Sequence, residues 1–147
     1  MFRNILVPTD GSAPARKALK RALALARQQK ARITAFYVAP RWQLPPYSEY
    51  VPERIVSPKQ HEAAVRKTAA RLLDAVRKAA AVARVRCRCE YVLGDYPHAE
   101  IVKAARRRRC DLIVIASHGR RGISRLLLGS VTSKVLAESP VPVLVVR

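Results

Sequence analysis

The sequence has few of the residues that mark disulfide-rich, zinc-binding or membrane-spanning proteins. Its three cysteines are Cys87, Cys89 and Cys110, an odd set with no histidine at zinc-ligand spacing. No apolar run approaches the roughly 20 residues that span a bilayer. The amino terminus also lacks the charged and then apolar order of a secretion signal. We therefore expect reduced thiols, no membrane segment and a cytoplasmic protein.

Acidic residues are also scarce, with 10 Asp and Glu against 29 Lys and Arg and a formal net charge of +19. A surface this basic attracts polyanions whatever the fold. However, the basic residues are spread along the chain, and only 5% of the residues are aromatic. A solvated arginine-rich surface therefore accounts for the charge more simply than a dedicated nucleic-acid face. The sequence therefore does not favour nucleic acid as a partner.

Apolar strand patterns alternate with amphipathic helix patterns along the 147 residues. The helix from Ser130 to Ser139 is predicted to turn Val131, Val135 and Leu136 inward. Five strands and four helices in alternation predict one α/β domain, residues 1–147, with a parallel sheet and right-handed crossovers. In chain order, the predicted elements are 3–7, 15–29, 32–38, 58–83, 85–93, 98–109, 112–116, 130–139 and 141–146.

Three segments stand apart from this alternation. The proline-rich segment 39–57 predicts a long loop whose aromatic residues cover the sheet edge or, less favoured, close over a ligand. Residues 85–93 alternate apolar and charged, which indicates an edge strand with one exposed face. The last strand, 141–146, is apolar on both faces, and no crossover helix follows it. If that strand lies at the sheet edge, a second subunit pairing along it would cover its apolar surface.

Two strand ends carry residues suited to an anionic ligand. Pro8-Thr9-Asp10 follows the first strand, and Ser117-His118-Gly119 follows the fourth. Ligands of open α/β sheets bind beyond the carboxyl ends of strands, where the strand order reverses. If these two strands are neighbours, Asp10 and the glycine loop face one crevice. Loop amides and the following helix, which we expect Ser130 to cap, would hold a phosphate there.

Several residues near this loop have two interpretations. Arg120 and Arg121 suit phosphate pairing and solvation equally well. His118 is interpreted as a positioning residue rather than a base, because no second acid-base group stands at a recognisable spacing. Capping of the helix that follows it is sufficient to explain a serine at position 12, without a role as a nucleophile.

Together these segments resemble the nucleotide-binding branch of the universal stress protein family. The resemblance runs from Ile-Leu-Val-Pro-Thr-Asp-Gly-Ser near the start, through Gly94-Asp95, to Ser-Pro-Val-Pro-Val-Leu-Val-Val at the end. The family's nucleotide motif is glycine, two residues, glycine, nine residues, then Gly-Ser or Gly-Thr. Gly119 and Gly129-Ser130 match its second and third parts, and Ala116 stands where the motif has its first glycine.

The resemblance implies a Rossmann-like, adenine nucleotide alpha hydrolase-like fold with strand order 3-2-1-4-5 and helices on both faces. It also implies a homodimer through the C-terminal strand that binds ATP, with magnesium as an accompanying ion. The protein would act as a nucleotide-dependent regulator in the stress response, with slow or no hydrolysis. The alternative is a basic interaction protein on the same scaffold that does not bind ATP and engages nucleic acid or another polyanion.

By the same resemblance, each site residue has an expected role. Pro8 to Asp10 line the adenosine end, and Val38 contacts adenine. Ser130 and Thr132 add hydroxyls to the phosphates, while Asp10 binds ribose or a magnesium-bound water. The full set that would surround the nucleotide is Pro8, Thr9, Asp10, Val38, Ala116, Ser117, His118, Gly119, Arg120, Arg121, Gly122, Gly129, Ser130, Val131 and Thr132.

Overall fold

A computed structural model describes residues 1–44, 56–120 and 127–147. The strands are β1 (Asn4–Pro8), β2 (Arg32–Ala39), β3 (Cys87–Leu93), β4 (Leu112–Ala116) and β5 (Val143–Val146). The helices are α1 (Ala13–Gln29), α2 (Pro58–Val82), α3 (Pro97–Arg107) and α4 (Ser130–Glu138). Most of the predicted proline-rich loop lies outside the described residues.

The five strands form one parallel sheet in the order β3-β2-β1-β4-β5. This confirms the predicted fold class and strand order. β1 and β4 are neighbours in the centre, although two other strands separate them along the chain. Their carboxyl ends therefore meet at the point where the strand order reverses, which is where ligands bind in such sheets.

Helices cover both faces of the sheet because its central strands are apolar on both sides. Ile5 and Val7 of β1 point to the face that α1 and α2 cover, where Leu23 and Leu73 contact them in one cluster. Leu6, between them, points to the face that α3 and α4 cover. This alternation within one strand explains why the strand pattern is continuously apolar.

Both predicted edge strands lie at the edges. β3 ends the sheet on one side and β5 on the other. Cys87 and Cys89 share a face of β3, as predicted, with their sulfur atoms 3.7 Å apart. β5 begins at Val143, two residues later than predicted. Pro142 immediately precedes it and has no N–H to donate to a ladder, so a strand start at this point is favourable.

Two predictions about α4 are wrong. The residue that precedes the helix is Gly129, and Ser130 is the first helical residue rather than the cap. The Gly129 N–H donates to the Ser117 carbonyl at 2.7 Å, which holds Gly129 in extended conformation and places the cap one residue earlier than predicted. Leu136 is 41% exposed, whereas Val135 is fully buried. The buried ridge of this short helix runs through Thr132 and Val135, a three-residue step, and leaves Leu136 beside it.

Candidate functional site

The ends of β1 and β4 are joined by the Asp10 side chain. One carboxylate oxygen of Asp10 accepts the Arg120 backbone N–H at 3.2 Å, and the other accepts the Ser12 N–H at 2.9 Å. The Arg120 guanidinium Nε in turn donates to the Asp10 carbonyl at 3.1 Å. The structure thus brings the turn after β1 and the glycine loop after β4 together, as the sequence predicted for neighbouring strands.

Gly119 makes this contact possible. A Cβ added at position 119 would lie 2.9 Å from the nearer carboxylate oxygen of Asp10, so the carboxylate would have to move away. Glycine therefore lets the Asp10 carboxylate approach the loop closely. Gly119, which matches the second glycine of the family motif, therefore has a structural role in addition to any role in ligand binding.

A second set of contacts holds the start of α4 against the end of β4. The Thr132 hydroxyl donates to the Ala116 carbonyl at 2.7 Å, and Thr132 is only 3% exposed. A Cβ added at Gly129 would lie 3.2 Å from the His118 Cα and 3.3 Å from the Ser117 carbonyl oxygen. The Thr132 hydroxyl was predicted to bind phosphate, but its proton is committed to the protein backbone.

Within the described residues, the amino terminus of α4, like that of α3, has no side-chain cap, in contrast to α1 and α2. Ser12 caps α1 by accepting the Ala15 N–H at 3.3 Å, and Ser57 with Gln60 forms a capping box at α2. Gly129 has no side chain with which to do the same for α4. A helix start of this kind has amide donors for an exogenous anion, strengthened by the positive end of the helix dipole.

The predicted residues on β1 and β2 lie at the same sheet edge but are less open. The Thr9 N–H donates to the Phe36 carbonyl at 2.9 Å, and its hydroxyl oxygen accepts the Gly11 N–H at 3.3 Å. Pro8 is half-buried beside Phe36, its register partner. Val38 lies two residues further along β2, and its side chain packs against the α3 and α4 cluster.

Ala116 and His118 complete the described part of the loop. Ala116 is 7% exposed, so its methyl group is packed within the protein. His118 Nδ1 lies 2.9 Å from the Ser117 hydroxyl oxygen, and Ser117 is itself buried. Arg121 and Gly122, which were also predicted to surround the ligand, lie outside the described residues.

Sequence reasoning missed the contact of Arg120 with Asp10. It treated Arg120 as a phosphate partner or a solvated residue, whereas its guanidinium donates to the Asp10 backbone. The two residues are 110 positions apart in the chain. No local pattern signals such a pairing, because it arises from the adjacency of β1 and β4.

Comparison with known proteins agrees with this architecture. The profile described as "Universal stress protein family" matches residues 1–147. Universal stress protein YxiE of Bacillus subtilis (strain 168) is 34% identical over 151 residues, which cover 100% of both chains. Among solved structures, universal stress protein UspA from Lactobacillus plantarum has a TM-score of 0.79 at 29% identity and covers 99% of this chain and 97% of its own.

A further solved structure is that of a universal stress protein in complex with cAMP. Its TM-score is 0.72 at 25% identity, with 99% of this chain and 97% of that chain covered. The family profile and the relatives thus match over essentially the full length, and the sheet order agrees. The chain therefore belongs to the universal stress protein family.

Proposed function

We propose that the crevice between the ends of β1 and β4 binds an adenine nucleotide, with ATP as the ligand. The uncapped amino terminus of α4 carries this proposal. The hydrogen bonds from Gly129 to Ser117 and from Thr132 to Ala116 fix that helix start beside the loop that Asp10 holds. A phosphate at this position accepts backbone N–H groups that no side chain in the described part of the chain caps.

Each part of the crevice then has a role suited to one part of the ligand. The backbone amides of Ser130, Val131 and Thr132 bind phosphate oxygens, and the Ser130 hydroxyl adds a donor. Asp10 accepts from ribose, for which it must share or release its bond to the Arg120 N–H. Pro8, Thr9 and Val38 form the adenosine end, and Ala116 to Gly119 form the floor of the phosphate region, with Arg120 beside it. Arg121 and Gly122 lie outside the described residues, and only the sequence resemblance supports a role for them.

The adenine nucleotide class has support from a relative. The universal stress protein whose structure was determined with cAMP shares 25% identity and nearly full-length coverage with this chain. The present chain differs from the family motif by Ala116 in place of the first glycine. Because the Ala116 methyl is packed, the substitution is compatible with an open crevice.

Magnesium would enter with the phosphates rather than occupy a site of its own. No group of three or more His, Cys, Asp and Glu suited to a metal ion occurs in residues 1–44, 56–120 and 127–147. A Mg²⁺ ion bound to nucleotide needs only one or two carboxylates in addition to phosphate oxygens and water. Asp10 fits that requirement through a bound water.

The cellular role that we propose is nucleotide-dependent regulation in the stress response, by a cytoplasmic homodimer with slow or no ATP hydrolysis. β5 is an edge strand, and Leu144 in its middle is 44% exposed. Pairing along β5 would cover this apolar residue and the free backbone groups of the strand. In the described part of the chain, no helix is both long and apolar enough to cross a membrane.

Isothermal titration of the purified protein with ATP and Mg²⁺ tests the proposal. We expect saturable binding, which Gly119→Val abolishes because its side chain displaces Asp10. Ala116→Gly, which restores the motif glycine, serves as the matched control and should bind at least as tightly as the wild type. Absence of heat at millimolar ATP refutes the proposal. Nucleotide extracted from unheated protein would identify which of ATP, ADP and AMP is carried.

A further inference from the structure

A cluster of basic residues lies at the edge of the sheet opposite the crevice. Two cavities open there, of about 600 Å³ and about 210 Å³, and they share Arg32 and Arg86 in their walls. Among the residues that the structure describes, none that lines either cavity is acidic. The six lining cations, called here the amino-edge basic patch, are Arg3, Lys30, Arg32, Arg86, Arg88 and Arg108.

The fold gathers these residues although they are distant in the sequence. Arg32 is the first residue of β2, where it pairs with Asn4 of β1, and Arg88 pairs with Thr34. Parallel strands begin at the same edge, and residues two apart on a strand share a face. Arg86 and Arg88 therefore project beside Arg32, within one or two strand spacings.

Little negative charge neutralises the patch. The carboxylate of Glu90 is committed to the guanidinium groups of Arg107 and Arg108. Asp111 binds the backbone N–H groups of Arg3 and Asn4 rather than a cationic head. Among the residues that the structure describes, ion pairs of the other patch cations with carboxylates are absent.

Helix ends add more positive charge at the same edge. The backbone is left-handed just after α1, α2 and α3, at Lys30 (φ 55°), Arg84 (φ 56°) and Arg109 (φ 50°). Glycine or asparagine usually occupies such positions, because other side chains are strained there. The negative end of each helix dipole favours a cation. A cation in the last turn of the helix, where the backbone is not strained, would be attracted equally. This edge therefore carries more positive charge than helix capping requires.

We propose that the amino-edge basic patch binds the phosphodiester backbone of nucleic acid without sequence preference. Guanidinium groups present paired donors to phosphate oxygens. Phe2 is the one aromatic lining residue in the described part of the chain, and it is half-buried, so the described patch lacks a series of rings on which bases stack. Its other apolar lining side chains, Met1 and Cys87, are too few to insert into a bilayer.

Fluorescence anisotropy of a labelled DNA duplex, measured at salt concentrations from about 50 to 200 mM, tests the proposal. The patch variant is Arg32→Gln/Arg86→Gln/Arg88→Gln. The control variant removes the same charge from exposed helix positions, as Arg21→Gln/Lys67→Gln/Arg71→Gln. Each lost phosphate contact lowers the slope of log K against log salt by about 0.9, so the patch variant should lose about 2 to 3 units of slope while the control keeps the wild-type slope.

Further measurements test whether the patch itself is the DNA-binding surface. The variant Arg32→Lys/Arg86→Lys/Arg88→Lys keeps the charge and should keep the wild-type salt slope. If it does, substitution at these three positions does not by itself abolish binding, and the smaller slope of the glutamine variant reports the lost charge. Gly119→Val should bind DNA like the wild type, because the crevice lies at the opposite edge. The proposal is overturned if the wild type does not bind at low salt or if the patch and control variants lose affinity equally. Patch-dependent binding to phosphatidylglycerol vesicles without DNA binding would overturn it in favour of a membrane surface.

Discussion

Alanine at the two described loop glycines should affect stability to different extents. At Gly119 the new Cβ meets the end of a flexible side chain, the Asp10 carboxylate, at 2.9 Å. At Gly129 it meets backbone atoms of Ser117 and His118 at 3.3 and 3.2 Å. A side chain can rotate away, whereas these backbone atoms are fixed by the end of β4 and by the Gly129 N–H bond. The same methyl group is therefore tolerated at one position and not at the other.

The magnitudes follow from these contacts. In Gly119→Ala, the displaced Asp10 loses the Arg120 N–H, and a hydrogen bond of this kind contributes about 1 kcal/mol. Reduced freedom of the unfolded chain returns about 0.4 to 1 kcal/mol, so the net change should be within about 0.5 kcal/mol. In Gly129→Ala, overpacking costs about 1 to 3 kcal/mol, and the same entropy gain leaves a net loss of about 0 to 2.6 kcal/mol, with a central value of about 1.3 kcal/mol. At that central value a domain of this size should melt about 3 to 5 °C lower.

Urea unfolding followed by circular dichroism measures both variants, and ATP titration of the folded proteins gives the functional readout. Gly119→Ala should remain stable but bind nucleotide more weakly, because Asp10 is displaced from the crevice. Asp10→Ala/Gly119→Ala provides the control, since without the carboxylate the added methyl should have no further cost. Equal destabilisation by the two single substitutions would refute the argument, because it would mean that Asp10 cannot move.

Three other predictions concern the edges of the sheet. Leu144→Lys should convert a dimer into monomers in analytical ultracentrifugation, and a dimer that persists would contradict pairing through β5. A hydrogen bond from Cys87 lowers the pKa of Cys89 to about 7, and burial raises the pKa of Cys110 to about 11, so iodoacetamide at about pH 8 should modify Cys89 first by mass spectrometry. Burial opposes ionisation of Glu90, but hydrogen bonds from its arginine partners outweigh it and lower its pKa below the ordinary 4.5. Its contribution is thus present above about pH 4.5 and lost in more acidic solution, and the stability gap between wild type and Glu90→Gln in urea unfolding should narrow there.

The architecture could be predicted from the sequence because the spacing of apolar residues differs between strands and helices. Continuous apolar runs such as 112–116 predicted central strands, and alternation in 85–93 predicted an edge strand. The family resemblance supplied the strand order, from which the meeting of Asp10 with the glycine loop followed.

The local geometry of the site was less predictable, because it depends on contacts between distant segments. The cap of α4 was assigned to Ser130 instead of Gly129, because the Gly129 N–H bonds to Ser117, which lies beyond the end of β4. The Thr132 hydroxyl was assigned to a ligand because its backbone acceptor, Ala116, becomes a neighbour only in the folded chain. The spacing of motif residues in the sequence predicts which residues lie together at the site. It does not predict which acceptor each hydrogen-bond donor binds.

The two edges of the sheet differ in chemistry. β5 presents an apolar edge centred on Leu144, whereas β3 presents Arg88 and Glu90 together with the partly exposed Tyr91 and Leu93. Two copies that join through β5 leave only β3 edges at the outer ends of the combined sheet. Those ends carry Arg88 next to Arg86, so two β3 edges that met would bring like charges together. If two copies pair through β5, neither keeps a free β5 edge for a third copy, and this mode of assembly ends at the dimer.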